Sequence, residues 1–107
     1  MDISELYEKQ LQFQKMLGNE VPADNPSVMA QHLFGLLGEV GEVSQADQRW
    51  KTNGRNTHYD KENKLEEIAD CFIYLLNVCI YSDFTDYDLL DAVKEKQDKN
   101  IRRYKEK

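Results

Sequence analysis

The sequence lacks the positive charge and the long apolar runs that would favour a nucleic acid or a membrane as partner. It has 14 lysine and arginine residues against 20 aspartate and glutamate residues, a formal net charge of −6. Because duplex nucleic-acid binders normally present a basic face, this balance disfavours one. The longest mostly apolar run, residues 68–81, holds an aspartate and an asparagine. That run is too short to cross a bilayer, so we expect no membrane partner.

Cysteine is scarce, and its placement bears on the cellular compartment. Cys71 and Cys79 fall on one predicted helix, where a rise of 1.5 Å per residue sets them roughly 12 Å apart. They cannot form a disulfide with each other at that distance. We expect buried thiols, as in a reducing compartment. Residues 1–9 are polar and not typical of a signal peptide, so we expect a cytoplasmic protein.

Several catalytic signatures are missing from the sequence. It contains no P-loop, no pattern typical of a nucleophilic triad and no zinc-ligand spacing. A ferritin-like di-iron site would need two Glu-x-x-His units. Neither His32 nor His58 has a glutamate three positions before it, which excludes that site.

The apolar periodicity predicts an all-α chain of four helices in a single domain over residues 1–107. The first predicted helix covers about residues 3–16, the third 61–82 and the fourth 85–104. The second is predicted to begin after a capping residue at Asn25 or Ser27 and to end at about residue 50 or 51. Thr85 to Asp88 resembles a capping box at the start of the fourth helix. Residues 52–60 are polar and show no regular spacing of apolar residues, so they are predicted to form a loop.

The third predicted helix is apolar around nearly its whole circumference. A helix with that pattern is normally buried on all sides. A chain of 107 residues has difficulty burying one helix so completely. We therefore predict a helix bundle that is completed by a homodimer.

Two pairs of carboxylates carry most of the information about chemistry. Glu39 and Glu42 are three residues apart in the second helix, and Glu67 and Asp70 are three apart in the third. Residues three apart share a helix face, so packing of the two helices can bring all four together. Such a cluster is costly near a core unless a cation neutralises it. Oxygen-only ligands favour Mg²⁺, with Mn²⁺ as an alternative.

A solvated acidic surface is the ordinary alternative for paired acids of this kind. Asp70 argues against it, because this aspartate lies in the most apolar helix of the chain. Gly35, Gly38 and Gly41 also lie in the second helix, where each costs roughly 1 kcal/mol relative to alanine. They predict that another helix or a ligand approaches closely.

The acidic pattern resembles a known family. Glu39-x-x-Glu42, then 24 residues, then Glu67-x-x-Asp70 is similar to the ExxE…ExxD signature of the MazG-like, all-α nucleoside triphosphate pyrophosphohydrolases. The flanking residues look similar too, and the resemblance covers roughly residues 33–103. It implies Mg²⁺-dependent hydrolysis of a nucleoside triphosphate to monophosphate and pyrophosphate, with the four acids as catalytic residues and metal ligands. It also implies a dimer or a dimer of dimers.

The resemblance also indicates cationic residues for phosphate binding. In family relatives a lysine, an asparagine and an arginine near the end of the fourth helix contact phosphates, and Lys96, Asn100 and Arg103 look similar. The alternative for these three is a solvated basic tail. Lys51, after the second helix, is a further candidate for phosphate binding, although a lysine there also complements the helix dipole.

Candidates for contact with a base are less specific. His32 and Trp50 fall within roughly 20° of Glu39 on a helical wheel, and each offers stacking or hydrogen bonding to a base. Packing is the alternative for Trp50, and a surface or hydrogen-bonded histidine for His32. Asn77 is either a neighbour of the ligand or a buried amide, and Phe13 is predicted to belong to the core.

Other members of the same superfamily share the acidic signature. Phosphoribosyl-ATP pyrophosphatases and dimeric dUTPases would differ from the prediction mainly in substrate. A non-catalytic four-helix dimeric interaction protein accounts for the acidity and the apolar third helix, but not for Asp70. The sequence therefore favours a house-cleaning pyrophosphohydrolase that acts on non-standard nucleotides.

Overall fold

A computed structural model describes residues 1–51 and 58–106, and this part of the chain contains four α-helices and no strand. The helices are α1 (Ile3–Met16), α2 (Pro26–Ala46), α3 (Lys61–Tyr81) and α4 (Asp86–Lys105). The predicted all-α class is confirmed. No helix in these ranges combines the length and apolar character needed to cross a membrane.

Each α-helix begins at a side chain that accepts a hydrogen bond from the backbone of its first turn. These capping residues are Asp2, Asn25, Asp60 and Thr85. At Thr85 the predicted capping box is present, with Asp88 as the reciprocal partner. Such caps satisfy amide groups that a helix leaves unpaired at its N-terminus, and they explain why the starts were readable from sequence.

The second helix ends earlier than predicted. It stops at Ala46, and Arg49–Lys51 form a separate 3₁₀ turn, whereas periodicity extended the helix to Trp50 or Lys51. The Asp47 carboxylate accepts hydrogen bonds from the backbone and guanidinium of Arg49. Local bonds of this kind compete with helix continuation.

The ends of the connection between α2 and α3 are tied together. The Gln48 amide donates to the His58 carbonyl, and the Asp60 amide donates to the Ala46 carbonyl, each at 2.8 Å. Residues 52–57 of the predicted loop lie outside the described residues. The two hydrogen bonds fix where α3 starts relative to the end of α2. They thereby determine how far along each helix the two acidic pairs lie from this connection.

α2 packs along α3, and α1 crosses the C-terminal half of α3. The core is formed by Tyr7, Leu11, Leu76, Ile80 and Tyr81. Between α2 and α3, a methyl group placed on Gly35 would overlap the ring of Tyr74, so the predicted close approach is present at this glycine. Nothing in the described part of the chain lies within 4 Å of such a methyl group at Gly38 or Gly41.

A single chain leaves much apolar surface uncovered. α3 buries Leu76 and Ile80, but Phe72, Ile73 and Leu75 are 39–48% exposed, so the predicted burial on all sides is not met within one chain. The radius of gyration is 16.8 Å, against about 13 Å for a compact domain of this length. The chain exposes 8082 Å², whereas a compact monomer of this size exposes roughly 6,200 Å².

Candidate functional site

Carboxylates from α2 and α3 converge where the two helices pack. Glu39, Glu67 and Asp70 each offer an oxygen, and the three oxygens lie within 4.8 Å of one another. All three side chains are partly buried. Glu42 is more exposed, and its carboxylate acts on the pKa of both Glu39 and Glu67. The packing thus brings three of the four predicted acids together, with Glu42 next to them.

Two oxygens of this acidic cluster (Glu39, Glu42, Glu67, Asp70) are buried without a partner. Within the described part of the chain, no hydrogen-bond donor reaches Glu39 Oε2 or Glu67 Oε2. A buried polar atom left unpaired costs about 1–3 kcal/mol, and more when it is charged. Either a proton or a bound cation would remove that cost. The two unpaired oxygens therefore favour the binding of one or the other at this cluster.

The charges in the cluster shift its protonation. Burial, followed by the charges of Glu42 and Asp70, raises the pKa of Glu39. A hydrogen bond with Glu42, together with burial and the charge of Glu42, raises the pKa of Glu67 to about 7. Two carboxyl groups can share such a bond only if one holds a proton. The acids therefore repel one another strongly enough to retain a proton near neutral pH when no cation is present.

The donor set fits a hard divalent cation. All four donors are carboxylates, and Mg²⁺ and Mn²⁺ prefer oxygen ligands. Neither Glu39 nor Glu67 forms an ion pair with a lysine or arginine in the described chain, and one oxygen of each has no hydrogen-bond partner there. A cation held here would satisfy both atoms.

A polar cavity lies one helical turn from the acidic cluster. Gly35 and Tyr74 are four residues from Glu39 and Asp70, about 6 Å along each helix. The cavity has a volume of about 460 Å³ between α1, α2 and α3. Its lining includes Gln10, Phe13, Gln14, His32, Tyr74 and Asn77. Phe13 is 49% exposed at this cavity, so its predicted place in the core is wrong.

The polar groups of the cavity form an oriented network. Gln10 Nε2 donates to Asn77 Oδ1 at 2.8 Å, and Asn77 Nδ2 lies 3.3 Å from His32 Nδ1. Burial lowers the pKa of His32, so this ring is neutral at neutral pH. Since Nδ1 accepts from Asn77, the ring proton lies on Nε2. His32 also stacks on Tyr81, with centroids 4.9 Å apart.

A second, more apolar depression borders the acidic cluster. It is lined by Val40, Val43, Ser44, Asp47, Trp50, Lys64 and Cys71. Trp50 is 66% exposed there, and Lys51 Nζ lies 5.5 Å from its ring centroid. Lys64 and Arg49 both pair with Asp47, at 2.9 and 2.8 Å. The single charge of Asp47 thus offsets only one of these two cations. Trp50 and Lys51 are both exposed.

Comparison with known proteins identifies the family. A family model described as dUTPase matches residues 2–107, almost the whole chain. The chain belongs to this dUTPase family. This is a helical family of the MazG-like superfamily, so the resemblance holds at that level, and membership of the MazG family itself is not confirmed. No curated protein and no solved structure matches the chain.

Membership of the dUTPase family makes the chain a nucleotide hydrolase in general. Of the predicted substrate-binding residues, His32 lines the polar cavity and Trp50 the depression beside the acids. Lys96, Asn100 and Arg103 lie on the exposed part of α4. Among the described residues, none of these three forms a side-chain hydrogen bond or an ion pair, so their predicted role in phosphate binding stays a prediction.

Sequence reasoning missed the amides that α1 contributes to the polar cavity. Gln14 is only 3% exposed, and it accepts a hydrogen bond of 2.6 Å from the Tyr81 hydroxyl. A signal was present, because Gln14 continues the buried stripe of Tyr7 and Leu11 at a position where an apolar residue is expected. Gln10 lies one turn before it and carried no comparable signal.

Proposed function

We propose that the protein hydrolyses dUTP to dUMP and pyrophosphate in a reaction that requires Mg²⁺. The proposal depends most on the two buried oxygens, Glu39 Oε2 and Glu67 Oε2, which have no donor within the described chain. They belong to a cluster of four acids. Carboxylates of this kind are typical ligands of a divalent cation that also binds phosphate oxygens. Membership of the dUTPase family favours uracil as the base.

The acidic cluster would hold Mg²⁺, or Mn²⁺, through Glu39, Glu42, Glu67 and Asp70. When bound, the cation supplies positive charge to phosphate oxygens and offsets the charge that develops as a phosphoanhydride bond breaks. The chain itself contributes the fixed placement of the four carboxylates on two packed helices. Because the carboxylates are already in place, no free energy is spent on reorganising them during the reaction, and this preorganisation is the main source of electrostatic stabilisation in such sites.

A carboxylate of the cluster would act as general base. Glu39 or Glu42 accepts a proton from the attacking water, as a carboxylate within hydrogen-bond reach can do. The bond between the α- and β-phosphates then breaks, and pyrophosphate leaves with the former bridging oxygen. Lys51 lies on the 3₁₀ turn that follows α2, and its charge would be suited to the departing phosphates.

The polar cavity would recognise the base. Uracil offers one N–H donor and two carbonyl acceptors on its edge, and amide side chains supply both kinds of partner. The Nε2–H of His32 can donate to a carbonyl of uracil, while Gln10 and Asn77 hold that ring in place. Cytosine presents an amino group where uracil has a carbonyl, so a fixed donor at that point rejects it.

A second copy of the chain would cover the apolar face formed by α2 and α3. On α2 this face carries Phe34, Leu37 and Val40, which are 53–74% exposed, and on α3 it carries Ile68 and Leu75, 46% and 48% exposed. The surface beyond that of a compact monomer is roughly 1,900 Å², and a standard interface buries about 800 Å² on each partner. The homodimer therefore remains our proposal for the assembled enzyme.

Pyrophosphate release from a panel of nucleotides tests the proposal. The panel contains dUTP, UTP, dTTP, dCTP and phosphoribosyl-ATP, each with Mg²⁺, Mn²⁺ or chelator. We expect metal-dependent release of pyrophosphate and monophosphate, fastest with dUTP. A preference for another nucleotide would contradict uracil recognition, but it would not contradict the proposed hydrolysis of a nucleoside triphosphate to monophosphate and pyrophosphate. A folded protein that neither binds metal nor releases pyrophosphate would indicate a non-catalytic interaction protein.

A further inference from the structure

Lys64 lies one helical turn before Glu67 on α3, on the same side of the helix. Lys64, Glu67 and Cys71 follow one another at spacings of three and four residues, so they form one row along α3. The two ends of this row, Lys64 and Cys71, both line the apolar depression. Burial, followed by the charges of three acids of the cluster, raises the pKa of the Cys71 thiol. The row therefore runs beside the acidic cluster.

A lysine at this position is within reach of Glu67. Side chains three residues apart on a helix are neighbours and can form an ion pair. Long helical side chains also lean towards the N-terminus, which brings the Glu67 carboxylate towards the turn that carries Lys64. Nevertheless, Glu67 forms no ion pair in the described part of the chain, and its Oε2 has no hydrogen-bond partner there. Another group therefore holds the Lys64 ammonium away from Glu67.

That group is Asp47, the residue that follows α2. Lys64 Nζ donates a hydrogen bond to Asp47 Oδ2 at 2.9 Å. The side chain of Lys64 is 30% exposed and that of Asp47 15%, and a partly buried ion pair is screened by salt less than a surface pair. Lys64 Nζ also lies 5.4 Å from the ring centroid of Tyr59, and an aromatic face attracts a cation at this distance.

Arg49 fixes the orientation of the Asp47 carboxylate. Arg49 Nε donates to Asp47 Oδ1 and Arg49 Nη2 to Asp47 Oδ2, each at 2.8 Å. The Arg49 backbone amide donates to Asp47 Oδ1 at 3.2 Å. A guanidinium that spans both oxygens of a carboxylate determines its plane, and this guanidinium lies 3.6 Å over the ring of Tyr59. The position of Oδ2, to which Lys64 is bound, is thereby fixed.

A lysine paired with Glu67 would compete with a metal ion for the same carboxylate. An ammonium and a divalent cation both neutralise the charge of these oxygens, and like charges repel each other at this distance. The ammonium would therefore have to leave Glu67 before the metal ion bound. The free energy needed to separate that pair would be lost from the affinity for the metal.

We propose that Asp47 is a positioning residue that holds Lys64 away from Glu67 and so keeps the acidic cluster free for a divalent cation. The inference rests on the proposed function, because it concerns the Mg²⁺ that the cluster would bind. Asp47 acts through Lys64 and is not itself a ligand. An amide at position 47 would keep the shape of the side chain but lose the charge that attracts the ammonium, which would then be released to Glu67.

The affinity of the full-length chain for Mg²⁺ tests this role. Isothermal titration calorimetry without nucleotide is expected to show that Asp47→Asn raises the Kd for Mg²⁺ about tenfold or more, the effect typical of residues that orient a metal site from outside it. Asp60→Asn is the matched control, because it removes a carboxylate from the same connection. Asp60 caps α3 through the Asn63 amide, and asparagine caps a helix equally well. An equal loss of affinity in both variants would indicate a general effect of charge and contradict the proposal.

A second substitution identifies Lys64 as the competitor. Lys64→Met should change the Kd for Mg²⁺ little in the original chain, because Asp47 already holds the ammonium. In the Asp47→Asn background the same substitution should restore most of the lost affinity. A purely structural ion pair would lower the melting temperature without this dependence on background. Equal effects of Lys64→Met in the two backgrounds would therefore overturn the proposal, and circular dichroism verifies that each variant is helical.

The Mg²⁺ dependence of pyrophosphate release provides an independent measurement. Asp47→Asn should raise the Mg²⁺ concentration for half-maximal release about tenfold, with kcat at saturating Mg²⁺ close to that of the original chain. Mg²⁺ binding that Asp47→Asn leaves unchanged would contradict this inference alone. An original chain that binds no Mg²⁺ would contradict the proposed function, and this inference with it.

Discussion

The four acids illustrate, at the scale of single residues, how a costly arrangement points to a ligand. Glu39 and Glu67 each bury an oxygen without a donor within the described chain, and a hydrogen bond with Glu42, together with burial and the charge of Glu42, raises the pKa of Glu67 to about 7. A fold that only needed stability would replace these groups with apolar residues at little cost. Their presence between two packed helices is best accounted for by a cation that binds there.

Removing one ligand at a time should abolish turnover without unfolding the chain. We expect Glu42→Gln and Asp70→Asn each to lower metal-dependent pyrophosphate release about 10²-fold or more, since each removes a charge that holds the cation. Glu66→Gln is the matched control, because Glu66 is exposed beside Glu67, and it should retain activity. Full activity in either cluster variant, with helicity preserved, would show that the metal site is wrongly assigned.

The stability of the chain should depend on pH, and the stabilisation by Mg²⁺ should depend on pH in the opposite direction. Without a cation, the pKa of Glu67 is about 7 in the folded chain against 4.5 ordinarily, so the folded state binds more protons. The free energy of unfolding should then fall as pH rises from about 4.5 through 7. A cation competes with that proton, so Mg²⁺ should raise the melting temperature more at pH 8 than at pH 5. Melting curves with chelator and with Mg²⁺ measure both effects.

The same pH series has an internal control. Glu67→Gln removes the titrating group, so its melting temperature without metal should vary less between pH 4.5 and 7. Equal stabilisation of the original chain by Mg²⁺ at pH 5 and pH 8 would contradict competition between proton and cation at Glu67.

Base recognition can be separated from catalysis at Gln10. Gln10→Leu removes the donor that holds Asn77 and, through it, His32. We expect the KM for dUTP to rise roughly tenfold and discrimination against dCTP to fall, with kcat little changed. Gln12→Leu on the same helix is the control, because Gln12 is exposed and bonds only to Glu8. Equal KM and kcat values for the two variants would show that Gln10 has no role in base recognition.

Contact between α2 and α3 determines the site at the scale of elements. The acidic pairs meet because the two helices approach closely at Gly35, against Tyr74, one turn away. We expect Gly35→Ala to destabilise the chain by about 1–3 kcal/mol through overpacking, in spite of the higher helix propensity of alanine. Urea unfolding measures the loss.

A second substitution distinguishes overlap with Tyr74 from any other effect of Gly35→Ala. If the overlap is the cause, Gly35→Ala combined with Tyr74→Leu should cost less than the sum of the single substitutions. Strict additivity would show that the ring of Tyr74 is not what limits the residue at position 35.

The end of α2 shows where element prediction failed and why. Periodicity carries the helix on to Trp50, but Asp47 ends it by binding Arg49 locally and Lys64 from α3. Those hydrogen bonds hold the pKa of Asp47 well below its usual range. Lys64 is 17 residues away in sequence, so its part in the helix end could not be read from the local pattern. The starts of the helices were readable because their capping residues act within one turn.

The extended shape of the chain is the main feature at the scale of the whole molecule. The radius of gyration is 16.8 Å, the core consists of few residues, and the apolar face formed by α2 and α3 is uncovered. Exposed apolar patches of this extent generally mark interfaces. The all-round apolar pattern of α3 had predicted this need for a partner, although dimerisation itself stays a prediction.

Association through the α2–α3 face should be sensitive to one buried charge. We expect Phe34→Asp to shift the chain towards monomer and to lower its melting temperature, because a carboxylate would have to be desolvated in the interface. Tyr87→Asp is the control, since Tyr87 is 70% exposed on α4, which is not part of that face. Light scattering at matched concentrations measures the mass, and an unchanged mass for Phe34→Asp would place the interface elsewhere.

The sequence by itself determined what depends on near neighbours. It determined the four helices, their capped starts and the pairing of acids three residues apart on one face, since these follow from helical periodicity and local hydrogen bonds. Only the tertiary structure decided that both acidic pairs meet, and that Gln10, His32 and Asn77 from three helices form one network. Those contacts depend on the angle between the packed helices and on how far one is displaced along the other. Contacts between residues distant in sequence determine both, such as Gly35 with Tyr74 and Asp47 with Lys64.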